Sequence, residues 1–150
     1  MKNAYQPKKP FKTVEGVGTM AWQKLSRNAV FVLMKFYEKF NGYNRYDLSL
    51  TYKEMKHKLS SLLFSNSILE LEGFGFIDIR RLGRLERNCS LYGISNRWRK
   101  LSENPEALDK IEQTINIIQK KKRELSSAKK RMEINVLKKS LRSMSGAKHG

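Results

Sequence analysis

Ser60-Ser61-Leu62-Leu63-Phe64-Ser65-Asn66-Ser67-Ile68-Leu69-Glu70-Leu71-Glu72-Gly73-Phe74-Gly75-Phe76-Ile77 reads as a short helix that runs through a glycine-containing joint into a β-strand. Phe64, Ile68 and Leu71 recur at i, i+4 and i+7, so one side of the helix can dock on a core while the opposite side carries Leu62, Asn66 and Leu69. Ser60 and Ser61 can cap its start, because a serine oxygen accepts from a helical N–H that has no partner in the first turn. Gly73 and Gly75 are expected to stop it by taking the left-handed conformations that helix ends favour.

The elements on either side follow from the same periodicities. Downstream, Phe76-Ile77-Asp78-Ile79-Arg80-Arg81 reads as a strand, Leu82-Gly83-Arg84 as a turn and Cys89 to Ile94 as a returning strand, a β-hairpin with Arg80, Arg81, Arg84 and Arg87 at its tip. Trp98 is expected to pack beneath it. Upstream, Thr51-Tyr52-Lys53-Glu54 is a capping box that starts a helix over about 52 to 59, with Tyr52, Met55 and Leu59 inward and Lys53, Lys56 and Lys58 projecting. A helix ending where Ser60 begins the next makes a helix-turn-helix. Leu48-Ser49-Leu50 alternates like a brief strand. Before it, Ser26 caps a helix carrying Ala29, Val30, Leu33, Phe36, Tyr37 and Phe40, ended by Asn41-Gly42, with a lead-in turn at Trp22 and Leu25.

Composition shifts at both ends. Residues 1 to 18 hold Lys2, Lys8, Lys9 and Lys12 with prolines and glycines, which predicts a basic, mostly disordered arm. Residues 102 to 142 read as an amphipathic, basic helical tail begun by Asn104-Pro105, and residues 143 to 150 as a frayed end. In that tail Leu108, Ile111, Ile115, Ile118 and Leu125 follow heptad spacing, interrupted by Lys122, and Met132, Val136 and Leu141 extend the pattern. The seam suits either a homodimer or a helix folded back on its own domain, and spacing leaves both open.

The order helix, strand, helix, helix, strand, strand is that of a winged helix-turn-helix. Leu50 to Ser61, Glu70-Leu71-Glu72 with Gly75-Phe76-Ile77, and Leu91-Tyr92-Gly93-Ile94-Ser95-Asn96-Arg97-Trp98-Arg99 resemble winged-helix proteins of bacterial mobile elements, phages and plasmids. The resemblance covers about residues 19 to 101. It implies an α+β fold of three helices plus a β-hairpin wing, here followed by a C-terminal helical extension, and a DNA-binding or replication-associated role. Members of the family often carry basic or polar residues where the third helix has Leu62 and Leu69.

Charge narrows the partner. Lysine and arginine outnumber acids 31 to 14, a net charge of +17, and the usual partner of such an excess is a polyanion. One cysteine, Cys89, rules out an internal disulfide and is expected to be a small buried side chain; His57 and His149 lie too far apart in sequence for a Cys/His zinc site. No nucleotide-binding, zinc-protease or Ser/His/Asp pattern occurs, so neither an enzyme, a cofactor, a metal nor a small-molecule substrate is expected. No apolar run of membrane-spanning length and no signal-peptide core is present, which predicts a cytoplasmic, nucleoid-associated bacterial protein without membrane contact.

The expected partner is therefore double-stranded DNA, as transcriptional regulator or replication factor. Ser60, Ser61, Ser65 and Asn66 are candidate major-groove contacts, Asn66 first because its amide both donates to and accepts from adenine. Arg80, Arg81, Arg84 and Arg87 are candidates for the backbone or the minor groove, and Lys53, Lys56 and Lys58 for phosphates, as are the N-terminal arm and the basic cluster at 120 to 131. The rival is a non-enzymatic protein-interaction module that uses the outward leucines or the heptad seam. RNA is a weaker third, since no aromatic platform of the RNA-binding type is visible.

Overall fold

The computed structural model describes residues 13–83, 89–124 and 128–147, and its elements are α1 (Met20–Gln23), α2 (Arg27–Lys39), α3 (Tyr52–Met55), α4 (Ser61–Gly73), β1 (Ile77–Arg81), β2 (Leu91–Ile94), α5 (Trp98–Ser102), α6 (Pro105–Glu124) and α7 (Ala128–Ser145). The fold is thus mixed α+β, with seven helices and one two-stranded antiparallel hairpin among the described residues.

Hydroxyl side chains begin α1 to α4. Thr19, Ser26, Thr51 and Ser60 accept from the N–H of Trp22, Ala29, Glu54 and Leu63, and Glu54 accepts in return from Thr51 N–H, completing the capping box. Asn104 Oδ1 accepts from Ala107 N–H and Pro105 takes the first helical position, where its missing N–H is harmless. The helix expected over 52 to 59 is shorter, because after Met55 the chain leaves helical geometry in a turn that still buries Leu59.

The core forms where α2 meets α4. Ala29, Val32, Leu33 and Phe36 face Phe64, Ile68 and Leu71; Val32 is fully buried, whereas Val30 is only half-buried. Phe36 and Tyr92 pack in a T-shaped pair, 5.1 Å between centroids. The expected strand at 48 to 50 reduces to one bridge, in which Leu48 and Tyr92 exchange two backbone hydrogen bonds of 2.9 and 2.7 Å. In the hairpin Ile77 pairs with Ile94, Asp78 with Gly93 and Ile79 with Tyr92, after which a bulge sets Arg80 outside the ladder.

The two glycines after α4 act differently. Gly75 has φ +84° and a Cβ there would lie 2.6 Å from Trp98 N, so only glycine fits, and the turn it makes stacks Phe76 on Trp98 at 6.1 Å. Gly73, expected to end the helix by a left-handed turn, is its last helical residue; a Cβ would stand 2.9 Å from Ile115 Cδ1 and 3.5 Å from Leu141 Cδ1. It is small because α6 and α7 cross there.

The segment after residue 102 is a helical hairpin folded back on the domain. Leu108, Ile111, Ile115 and Ile118 are all buried within the chain, so the seam faces inward; Leu125 lies outside the described residues. In α7 the inward stripe is Ile134, Leu137 and Leu141, while Met132 and Val136, expected to extend the seam, are exposed. α6 and α7 are separate helices, so a heptad count carried from one into the other fails. Fraying does not begin at Ser143: α7 continues to a buried Ser145 and closes with Gly146 at φ +72° and Ala147 N–H donating to Arg142 O.

Arg97 ties these parts together. Its guanidinium donates to Asp78 Oδ1 (2.8 Å) and to the carbonyls of Glu72 (3.0 Å), Ile77 (2.9 Å) and Ser145 (2.8 Å), joining α4, β1 and the end of α7. Beside it Arg142 Nε donates to the buried Glu72 at 3.0 Å. At the other edge Lys24 pairs with Asp109 and Glu112 of α6. Within the stretch 1 to 18 expected to be disordered, Glu15 pairs with Arg45 at 3.1 Å and Gly16 lies against Phe76 and Trp98. Lys2, Lys8, Lys9 and Lys12 are outside the described residues.

Candidate nucleic-acid interface

Along α4 the surroundings change at Asn66. From Ser67 onward nearly every side chain is buried, including Leu69, only 7% exposed, which the sequence assigned to the outward face. Asn66, Leu69, Glu70 and Gly73 share one side of the helix, and α6 runs antiparallel along it: Ile111 and Ile115 at Gly73, Gln119 donating to Glu70 at 3.3 Å, and Lys122 at the level of Ser65 and Asn66. Phe64, Ile68 and Leu71 make one apolar side of α4 and Leu69 with Gly73 a second, and both are covered.

The first half stays open. Ser60, Ser61 and Ser65 are exposed and Asn66 is half-buried; Leu62 and Leu63 are 39% and 42% exposed. Ser60 Oγ is engaged by Leu63 N–H at 3.2 Å, so of the four candidate polar contacts it is the one fixed as a cap. Lys53, Lys56 and Lys58 are exposed on α3 and the turn that leads into α4, next to Ser60 in the chain. Tyr52, expected inward, is 41% exposed and its ring meets Phe64 at a tilt, 6.4 Å away, because α3 is a single turn that buries only Met55. The sole acid of α3, Glu54, is paired with Lys39, and this pairing together with the Thr51 N–H holds its carboxyl below the ordinary range.

A further cation arrives from a distant part of the chain. Lys122 Nζ donates to Ser65 Oγ at 2.8 Å and to Asn66 Oδ1 at 3.3 Å. Burial between the helices, helped by the nearby charge of Lys138, pushes its pKa down to about 8. Periodicity alone reads Lys122 as a break in an apolar seam. Its partners emerge only once α6 is laid antiparallel on α4.

The hairpin arginines go elsewhere. Arg80 stands over the Tyr46 ring at 5.7 Å and, with Arg97, Arg99, Lys100 and Met144, lines a cleft of about 660 Å³ at the base of the hairpin. Arg81 donates to Cys89 O at 3.2 Å, and Cys89, expected to be buried, is exposed just before β2, on the side of the connection between the strands. Arg84 and Arg87 lie outside the described residues. Lys53, Lys56 and Lys58 thus precede α4 closely in the chain, Lys58 with its Nζ 5.7 Å over the Phe31 ring of α2, while Arg80 shares its surroundings with α5 and the end of α7. Among the described residues no three His, Cys, Asp or Glu side chains converge as a metal ligand set would, and no helix is long and apolar enough to cross a membrane.

Comparisons with protein families, with curated proteins and with solved structures found no match.

Proposed function

We propose that α2, the Leu48 bridge, α3, α4 and the β1–β2 hairpin form a winged helix-turn-helix, and that the protein binds double-stranded DNA with the open half of α4 in the major groove. The observation that carries this reading is the contrast of charge and exposure there. Between Ser60 and Asn66 no acid occurs, the polar side chains face solvent, and Lys53, Lys56, Lys58 and Lys122 border the segment. An overall charge of +17 adds a long-range attraction to phosphate. The resemblance to winged-helix proteins of mobile elements makes control of transcription or replication the expected role. Arg80, with Arg99 and Lys100, offers phosphate contacts at the base of the wing.

Fluorescence anisotropy of a labelled mixed-sequence duplex tests it. Affinity should fall steeply with salt, with a slope of log K against log salt of about −4 if roughly four phosphates are neutralised. Reversing Lys53, Lys56 and Lys58 together to glutamate should weaken binding to every sequence and flatten that slope, while Asn66→Ala should relax discrimination at one base pair. Affinity indifferent to salt would sink the reading. A second reading, a protein partner on the open half of α4, is favoured by the exposure of Leu62, Leu63 and Tyr52. Its mark is a complex that survives high salt and is lost on Leu62→Lys.

A further inference from the structure

Lys122 has an unusual place among the cations of this chain. Lys24, Lys35, Lys39 and Lys121 each reach a carboxylate. Lys122 is more deeply placed, yet both of its hydrogen-bond acceptors, Ser65 Oγ and Asn66 Oδ1, are neutral, and among the described residues no carboxylate lies within ion-pair distance of it. Taking an ammonium out of water without an opposite charge is unfavourable, and neutral acceptors offset only part of the loss. The nearby charge of Lys138 adds to the positive potential. Ser65 is exposed, so the site opens to solvent on one side. A cation held in this way, one face dry and one face open, lacks only an anion.

Resting on the DNA-binding reading above, we propose that Lys122, Ser65 and Asn66 form a seat for one backbone phosphate of duplex DNA, so that the C-terminal helical hairpin supplies the basic residue that α4 itself lacks. The phosphate oxygen accepts from Lys122 Nζ, and the Ser65 hydroxyl, which now accepts from the ammonium, is free to donate to the same phosphate. Asn66 keeps Lys122 aimed along the helix. The extension is then part of the interface: α6 fixes the height of the cation on α4, and α7, packed on α6, ties the pair to α4 through Leu141 against Gly73 and Arg142 against Glu72.

The test compares wild type, Lys122→Met, Lys122→Arg and Ser65→Asp in the full chain, by anisotropy on a mixed-sequence duplex between about 50 and 200 mM salt, with thermal melts run alongside. Lys122→Met is expected to lower affinity by roughly tenfold at the low-salt end and to reduce the salt slope by about 0.9, one released counterion. It should leave the melting temperature unchanged or raised, since a buried unpaired charge has gone. Lys122→Arg should retain the slope. Ser65→Asp places a carboxylate on the ammonium, and should compete with phosphate and weaken binding while the fold is kept, which decides the matter even if Lys122→Met folds poorly. If wild type binds with a steep salt dependence but Lys122→Met and Ser65→Asp bind as well or better, the seat is overturned and the DNA reading stands. If wild type shows no salt-dependent duplex binding, both fall.

Discussion

The two halves of α4 belong to one unbroken helix and yet live in different surroundings. Ser61 to Asn66 is capped, open and edged by lysines, whereas Ser67 to Gly73 is enclosed by α2 on one side and the α6–α7 hairpin on the other. The difference teaches that the hairpin is a second wall of the domain, and that the length of α4 left uncovered is decided where α6 stops. Lys122 sits at that limit, two residues before α6 ends at Glu124.

The strongest way to break the comparison is to remove the wall. A chain ending at Glu103 keeps α1 to α5 but bares Leu69, Gly73 and the other surfaces that α6 and α7 cover, and it should lose a cooperative thermal transition and bind a hydrophobic dye. A sharp melt from that fragment would show that the enclosed half needs only α2. Next in size is Arg97→Ala, which takes the guanidinium from the Asp78 carboxylate and from three carbonyls, of which Glu72 O keeps the Gly75 N–H; destabilisation of about 3 kcal/mol by denaturant titration is expected. Because Arg97 joins the enclosed end of α4 to α7, duplex affinity of the folded fraction should change little.

At the open end the effects are smaller. Ser60→Ala removes the acceptor for Leu63 N–H and should cost about 1 kcal/mol, read as a lower midpoint in the same titration. Smallest is a pH effect at the limit between the halves. Lys122 has a folded-state pKa of about 8, below the ordinary 10.5, so between these values the unfolded chain binds more protons than the folded one. Its contribution to stability therefore rises as pH increases from about 8 toward 10.5. Across that window the melting temperature of wild type should gain on that of Lys122→Met; parallel curves would mean that Lys122 is as well solvated as a surface lysine.

Much of this arrangement is legible in the sequence. The caps at Ser26, Thr51 and Ser60, the core face Phe64, Ile68 and Leu71, the hairpin and the Pro105 start all follow from local rules that a single segment obeys by itself. What was not legible is pairwise. Leu69 and Gly73 form a second apolar side on α4, and Leu108, Ile111, Ile115 and Ile118 form a seam that needs a cover. Each is visible alone, but their mutual fit depends on an antiparallel crossing that no periodicity encodes. The phase of α7 is independent of that of α6, and no heptad count shows where the one helix ends and the other begins. Arg97 carries no local signal at all, being one cation in the run Arg97-Trp98-Arg99-Lys100, and only a folded chain distinguishes the arginine that holds four acceptors from its neighbours.

The grip of Arg97 on Ser145 O has a consequence for how the protein is made. Synthesis proceeds from the N-terminus, so a nascent chain that has reached residue 101 already holds both partners of the α2–α4 core but neither of the helices that shield its far side. Until Ser145 emerges, Leu69 and Gly73 stand uncovered, an adhesive surface on a half-finished molecule. A pause in translation within residues 105 to 145 should therefore favour capture by chaperones or aggregation far more than a pause of equal length earlier in the chain.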